Sequence, residues 1–503
     1  MKKFFILIIL IQFIYSVKAQ WVQIGDDIDG EVANDWATYT SGLSISSDGN
    51  VVVVGAPFND SNGNDAGHVR IYENIGGSWV QMGNEIIGQD STNWLGWSVS
   101  LNADGKRVAI SAPHNSGNGY WSGNVRVFEY NGANWIQVGN DINGDAEDVS
   151  GLSVSLNADG TRVAVGTPYN DGNGMSSGCV RVYEYIGSDW IQLSSDIVGE
   201  NGSDQSGNSV SLNSNGDILA IGAHYNDGTG QSECGHVRIF EYSGGNWVQM
   251  GSDIDGEAID DRFGFSVSLS SNGLTVAIGA ERNDGNNIGS GHVRVFEFNS
   301  GNWIQIGNDI DGESGGDYSG TSVSLSSDGS IVAIGAPYND GNGGNSGHVR
   351  VFGYSSGNWI QIGSDIDGEN ALDWSGYSVS LSADGSIVAI GAPNNYGNGT
   401  DAGHARIYSF STSVSEKIIE VVYAIIYPNP NNGDMIVEYS FTEDKEGEFV
   451  VYNVIGTKMM SYKLVPDKSR INITNNALPP GIYLYKVSSG NNIIIEDKLV
   501  IIR

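Results

Sequence analysis

Aromatic residues that interrupt a repeat are the first groups in this chain that could do chemistry. Seven of the 12 Trp, namely Trp21, Trp79, Trp135, Trp190, Trp247, Trp303 and Trp359, recur 55 to 58 residues apart, each opening a Trp-x-Gln motif. The other five, Trp36, Trp94, Trp97, Trp121 and Trp374, do not share this spacing, and Tyr120 precedes Trp121. Aromatic side chains grouped on an exposed rim are what sugar rings and protein hot spots use, so these six are the expected ligand-binding residues. The competing use is to cap the hydrophobic cores beneath them.

The polar residues repeat more strictly. Arg70, Arg126, Arg181, Arg238, Arg294, Arg350 and Arg406 share one position, and an acid follows each repeated Trp by six: Asp27, Glu85, Asp141, Asp196, Asp253, Asp309 and Asp365. A buried guanidinium needs a partner, so seven structural ion pairs between these two sets are expected rather than a sevenfold catalytic site. His68, His236, His292, His348 and His404 stand two residues before an Arg, where two other copies have Asn124 and Cys179. One metal cannot gather ligands from separate repeats at about 2 Å, so packing is the expectation for them. Asn-Asp-Gly recurs with Asp171, Asp227, Asp284 and Asp340. These acids are weak calcium candidates, with one carboxylate per loop, and an Asx-type turn is the alternative; no other cofactor is expected. His224 and Glu281, with Arg282 beside it, replace a repeated Pro and could pair as acid and base, but no catalytic role is expected of them.

A unit of about 56 residues repeated seven times must position all of these groups. The copy from Trp303 contains four period-two runs, WIQIG, SVSLS, IVAIGA and HVRVFGY, with the hairpin signal Asp328-Gly329 between the second and third. Four antiparallel strands in seven copies predict an all-β, seven-bladed β-propeller over residues 20–410. The last copy lacks a Trp-x-Gln strand, and the first supplies one ahead of any blade. Pairing Trp21 to Gly25 with residues 377–410 therefore closes the ring, with Trp-x-Gln outermost and Ser-Val-Ser at the axis. The tight turns then share one face and the long acidic loops the other, which is the expected binding face.

Composition narrows the class further. Residues 20–410 hold 48 Asp and Glu against 12 Lys and Arg, a balance that disfavours nucleic acid and anionic membranes as partners. Lys2-Lys3, the apolar run Phe4 to Tyr15 and Val17-Lys18-Ala19 read as a signal peptide over 1–19, cleaved before Gln20. No later stretch is long and apolar enough to span a bilayer. Two Cys, Cys179 and Cys234, allow at most one bridge.

Gly55-Ala56-Pro57, Gly335-Ala336-Pro337 and Gly391-Ala392-Pro393, with Phe263-Gly264 or Leu95-Gly96 ahead of the inner strand, resemble the FG-GAP repeats of integrin α-subunit propellers and their bacterial relatives. The calcium loop that this family carries is replaced by Ser-Asp-Gly or Ala-Asp-Gly, so calcium at that position is not carried over from the resemblance. After a linker over 411–425, residues 426–503 read as a small β-sandwich. Tyr427-Pro428-Asn429-Pro430, Val451 to Gly456, Leu478-Pro479-Pro480-Gly481-Ile482-Tyr483 and Lys498 to Ile501 look like the type A sorting domain of type IX secretion in Bacteroidetes. That resemblance implies export across the outer membrane by the secretion machinery, followed by release or surface attachment. The expectation is a secreted or surface-displayed, non-catalytic binding or adhesion propeller for glycan or protein. The alternative is a polysaccharide-active hydrolase or lyase on the same scaffold.

Overall fold

In the computed structural model the described residues are 16–228, 230, 232–415, 423–440, 446–465, 469–474, 478–489 and 492–502, and every regular element among them is a β-strand. Residues 1–15 of the expected leader and 416–422 of the expected linker lie outside this set. The chain divides into two compact units, one spanning Ala19–Ser413 and one containing Val414–Arg503.

Seven sheets build the first unit, each in the order inner, second, third, outer. In the sixth blade these strands are Ser322–Leu325, Ile331–Ala336, His348–Ser355 and Asn358–Gln361. The second strand is buried at nearly every residue, because a neighbouring blade covers each face, and so it reads as an unbroken apolar run. Each sheet also has a fifth, two-residue strand, such as Ile366–Asp367, which pairs with His348 and Val349 of the third strand. The outer edge is therefore one strand broken in two. The break falls at a left-handed residue, Gly25, Gly83, Gly139, Ser194, Gly251, Gly307 or Gly363, with φ between 67° and 77°.

Ring closure follows the expected route. Ser16–Gln23 is the outer strand of the seventh sheet beside His404–Ser415, and the Ile24 amide donates to the Ile407 carbonyl at 2.7 Å. Three belts then run from blade to blade. The middle Ser of every inner strand accepts the amide of the next blade's inner strand, from Leu101 on Ser44 to Leu381 on Ser324, and the Ile45 amide on Ser380 completes the circle. Nearer the tight turns, seven backbone amides donate in a closed cycle: Ser47, Ala103, Ala158, Ser214, Ser271, Ser327, Ala383 and back to Ser47, at 2.8 to 3.1 Å. On the outside, the indole of each repeated Trp except Trp247 donates to a carbonyl of the preceding blade, as Trp21 does to Ile362 at 2.9 Å.

The Gly of the Gly-Ala-Pro element has a packing cause. A Cβ on Gly166, Gly222, Gly279 or Gly335 would strike the carbonyl of Gly207, Gly264, Gly320 or Gly376 in the next blade. Cys179 and Cys234 are buried and unbridged, and burial pushes the Cys179 thiol up to about 12.

The second unit packs a three-stranded sheet and a four-stranded sheet around Val437, Tyr439, Phe449, Val451, Leu464, Val487 and Leu499. Its separated motifs meet in space. The Asn429 side chain donates to the Lys498 carbonyl at 2.6 Å and accepts the Val500 amide at 2.9 Å, and the Tyr483 hydroxyl donates to the Pro479 carbonyl at 2.9 Å.

Candidate functional site: the aromatic long-loop face

Six of the seven loops that lead into an inner strand are held by a buried carboxylate that receives an amide side chain 22 to 24 residues further on; the exception has Asn93 in its place. Asn59 bonds Asp35, Asn170 bonds Asp148, Asn226 bonds Asp204, Asn283 bonds Asp261, Asn339 bonds Asp317 and Asn395 bonds Asp373, at 2.9 to 3.2 Å. The residue after each of these acids is left-handed. Trp36, Val149, Gln205, Arg262, Tyr318 and Trp374 occupy that position, as Trp94 does after Asn93, with φ between 50° and 59°. A left-handed bulky residue costs about 1–2 kcal/mol, and the buried clamps hold it there. Trp121, at a different loop position, is left-handed too, with φ of 47°.

This geometry brings the sequence-predicted aromatics together. Trp97, Trp94, His114, Trp121 and Tyr120 form one stack, with successive centroids 5.1, 3.4, 4.7 and 4.6 Å apart and interplanar angles of 13° to 23°. Tyr120 is 60% exposed and Trp121 40%, whereas Trp36, Trp94, Trp97 and Trp374 are half-buried among other rings. Trp36 meets Trp374 edge-on at 6.2 Å, and Tyr39 stacks on Tyr377 at 5.2 Å. Phe58 links Trp36 to Trp94, and Tyr338 joins Trp374 to Tyr318. The result is an arc of twelve rings over blades six, seven, one and two.

Tyr39, Phe58, His114, Tyr318, Tyr338 and Tyr377 were not singled out from sequence. They sit at fixed repeat positions: Tyr318 at the clamped position itself, Tyr39 and Tyr377 three residues after it, and Phe58, His114 and Tyr338 just after the Gly-Ala-Pro element. Comparing those positions across copies would have found them. Burial holds the His114 imidazole down at about 4, so this stack is uncharged at neutral pH. Burial also raises the Tyr377 hydroxyl, helped by Tyr39 and Tyr338.

The arc borders an axial cavity of about 360 Å³ on the long-loop face, lined by Tyr39, Trp97, Phe265 and Tyr377 and by inner-strand Ser hydroxyls. Across it the chemistry changes. Arg262 lies 3.7 Å from Glu281 and from Glu233 and sits over the Tyr225 ring at 4.8 Å. Burial raises the Glu281 carboxyl, with Arg262 opposing, and burial lowers His224 to about 3. No hydrogen bond or ion pair joins His224 to Glu281 among the described residues.

The repeated Arg residues take partners other than those expected. Only Arg181 reaches its predicted acid, Asp196, at 2.9 Å. Arg70, Arg238, Arg294, Arg350 and Arg406 donate instead to carbonyls of the preceding blade's outgoing segment and approach its Glu at 3.2 to 3.8 Å; Arg126 meets the Ile87 carbonyl alone. The physical reason is the break in the outer strand. It turns the acids Asp27, Asp141, Asp196, Asp253, Asp309 and Asp365 toward the Gln of their own Trp-x-Gln, at 2.6 to 2.7 Å, while Glu85 faces His68. In the Asn-Asp-Gly loops, Asp171, Asp227, Asp284 and Asp340 each accept a backbone amide five or six residues ahead, at 2.7 to 3.0 Å.

Two family models match parts of the chain. Residues 253–296 and 310–352 match the FG-GAP repeat, and residues 425–502 match the secretion system C-terminal sorting domain. No curated protein matches the chain. Among solved structures, the periplasmic gluconolactonase of Pseudomonas aeruginosa is similar at 13% identity, covering 84% of this chain and 98% of its own, with a TM-score of 0.47. The GH74 enzyme of Niastella koreensis and the GH74 xyloglucanase of Xanthomonas campestris are 12% and 10% identical, each covering 84% of this chain and 59% of its own, with a TM-score of 0.45. At these identities the likeness concerns strand arrangement alone. Among the described residues no helix is long and apolar enough to cross a membrane. The chain is thus a seven-bladed propeller with FG-GAP repeats, carrying a C-terminal sorting domain that directs it through type IX secretion to the cell surface or extracellular space.

Proposed function

We propose that the long-loop face binds an extracellular glycan without transforming it. The observation that carries this reading is the confinement of the ring arc to four adjacent blades. A sevenfold packing device would place the same residue in every copy, yet the clamped position holds Trp36, Trp94, Val149, Gln205, Arg262, Tyr318 and Trp374. Rigid aromatic faces beside a cavity edged with hydroxyls suit the apolar faces and hydroxyl rims of sugars. The acidic body favours a neutral or cationic glycan over an anionic one. The rival reading, a polysaccharide-active enzyme, draws support from the raised carboxyl of Glu281 beside Arg262.

Glycan-array binding by the mature chain, repeated with Y120A/W121A, tests the proposal. Both side chains are exposed, so the variant should keep its melting temperature and lose at least about tenfold in affinity. Binding only to immobilised protein, or equal binding by the variant, would refute the glycan reading. Release of soluble sugar from a bound polysaccharide would refute the absence of catalysis.

A further inference from the structure

The repeated imidazoles are buried against carboxylates without hydrogen-bonding to them. His68 is completely buried, and neither of its ring nitrogens has a hydrogen-bond partner. Its Nδ1 nevertheless faces Glu85 Oε2 at 3.4 Å and Glu31 Oε2 at 3.7 Å. A tetrahedral zinc ion with bonds of about 2.1 Å holds its ligand atoms about 3.4 Å apart. His404 carries a variant of this pattern, with both carboxylates from its own blade. Both of its nitrogens lack partners, Nδ1 lies 3.5 Å from Asp27 Oδ2, and Asp29 completes a set within 4.8 Å. Equivalent sets of one imidazole and two carboxylates surround His236, His292 and His348.

The oxygens turned away from these centres are already engaged. Glu31 Oε1 faces Arg70 at 3.7 Å, and Asp27 Oδ1 accepts from Gln23 at 2.6 Å. Such outer contacts orient the remaining oxygen of a ligating carboxylate. Glu31 and Glu85 are more than one-third exposed at the side chain, so an ion can reach the site from solvent.

The two blades without this His supply the independent argument. In the second blade Asn124 replaces the imidazole, and Gln89 replaces the Glu ten residues after the repeated Trp. Asn124 there donates directly to Asp141 at 3.1 Å. In the third blade Cys179 replaces the His, and Asp196 is bound by Arg181 at 2.9 Å. Packing alone gives no reason for an imidazole and a carboxylate to become amides together, whereas loss of a shared ion does.

We propose that five blades each bind one divalent ion of the zinc class at their outer edge, through the repeated His and two carboxylates. Mixed nitrogen and oxygen donors favour zinc over calcium, which takes oxygen alone. In the first blade Glu31 arrives from the segment leaving blade seven, whereas His68 and Glu85 belong to blade one. The ion there joins adjacent blades.

The test is metal retention by the full mature chain after equilibration with Zn²⁺ and dialysis, read by elemental mass spectrometry alongside melting temperature. The wild type should retain five equivalents, one for each of the five sets, and melt higher with zinc than after chelation. E31Q/H68N copies the amide pair of the second blade, so it should fold with an unchanged circular dichroism spectrum and retain one equivalent fewer. No retained zinc in the wild type, or a full complement in E31Q/H68N, would overturn the proposal. Equal retention of Ca²⁺ would overturn the metal class.

Discussion

The guanidinium of Arg350 donates to the Asp311 carbonyl at 2.6 Å, stands 3.6 Å from Glu313 and covers the Phe352 ring at 5.3 Å. Removing it strips a half-buried carbonyl of its donor and empties the space over the ring. Arg350→Ala should therefore cost about 1–3 kcal/mol, read as a lower denaturation midpoint in urea. Unchanged stability would contradict the role. That Arg350 needed a buried partner was legible from its type and repetition, but the partner's identity was not. The guanidinium crosses a blade boundary, and the break at Gly307 and Gly363 redirects Asp309 and Asp365 to Gln305 and Gln361. At the rim, Trp36, Trp94 and Trp374 stood out because they break the repeat. Their neighbours Tyr39 and Tyr377 escaped notice because an aromatic near an inner strand reads as ordinary core.

At the scale of elements, period-two runs and Asp-Gly turns made the four main strands of each blade readable in advance. The two-residue strands such as Ile310–Asp311 were not, since a period cannot be recognised over so short a run. The role of Ser in the inner strand was only half visible. Its small size suits the axis, but its hydroxyl also accepts the amide of the next blade, as Ser324 does from Leu381 at 2.9 Å. Ser324→Ala leaves that amide without its acceptor and should cost about 1–3 kcal/mol, while Ser330→Ala in the exposed turn should fall within about 0.5 kcal/mol. Equal effects in thermal melts would deny the belt its part in closure.

Over the whole molecule, burial holds all seven imidazoles at about 3 to 4, below their ordinary 6.5. The unfolded chain takes up protons near pH 6.5 that the folded chain refuses. The stability this confers is present above that pH and declines as pH falls from about 6.5 toward 4. Chelator-treated protein should accordingly melt lower at pH 5.5 than at pH 7.5, and equal melting temperatures would show the imidazoles to be solvated. Ring closure itself was legible, because the orphan Trp21 strand and the incomplete last copy needed one another. The ligand was not, since stacking surfaces specify a face for sugars without specifying which sugar. The most direct test of the central claim, that the broken-symmetry aromatics bind while the repeated ones hold the ring, is a fluorescence titration with an array-selected oligosaccharide. The wild type and W190F, altered only at a blade-to-blade staple, should bind alike, and W121A should not saturate. Saturation of W121A at the wild-type concentration would contradict the account.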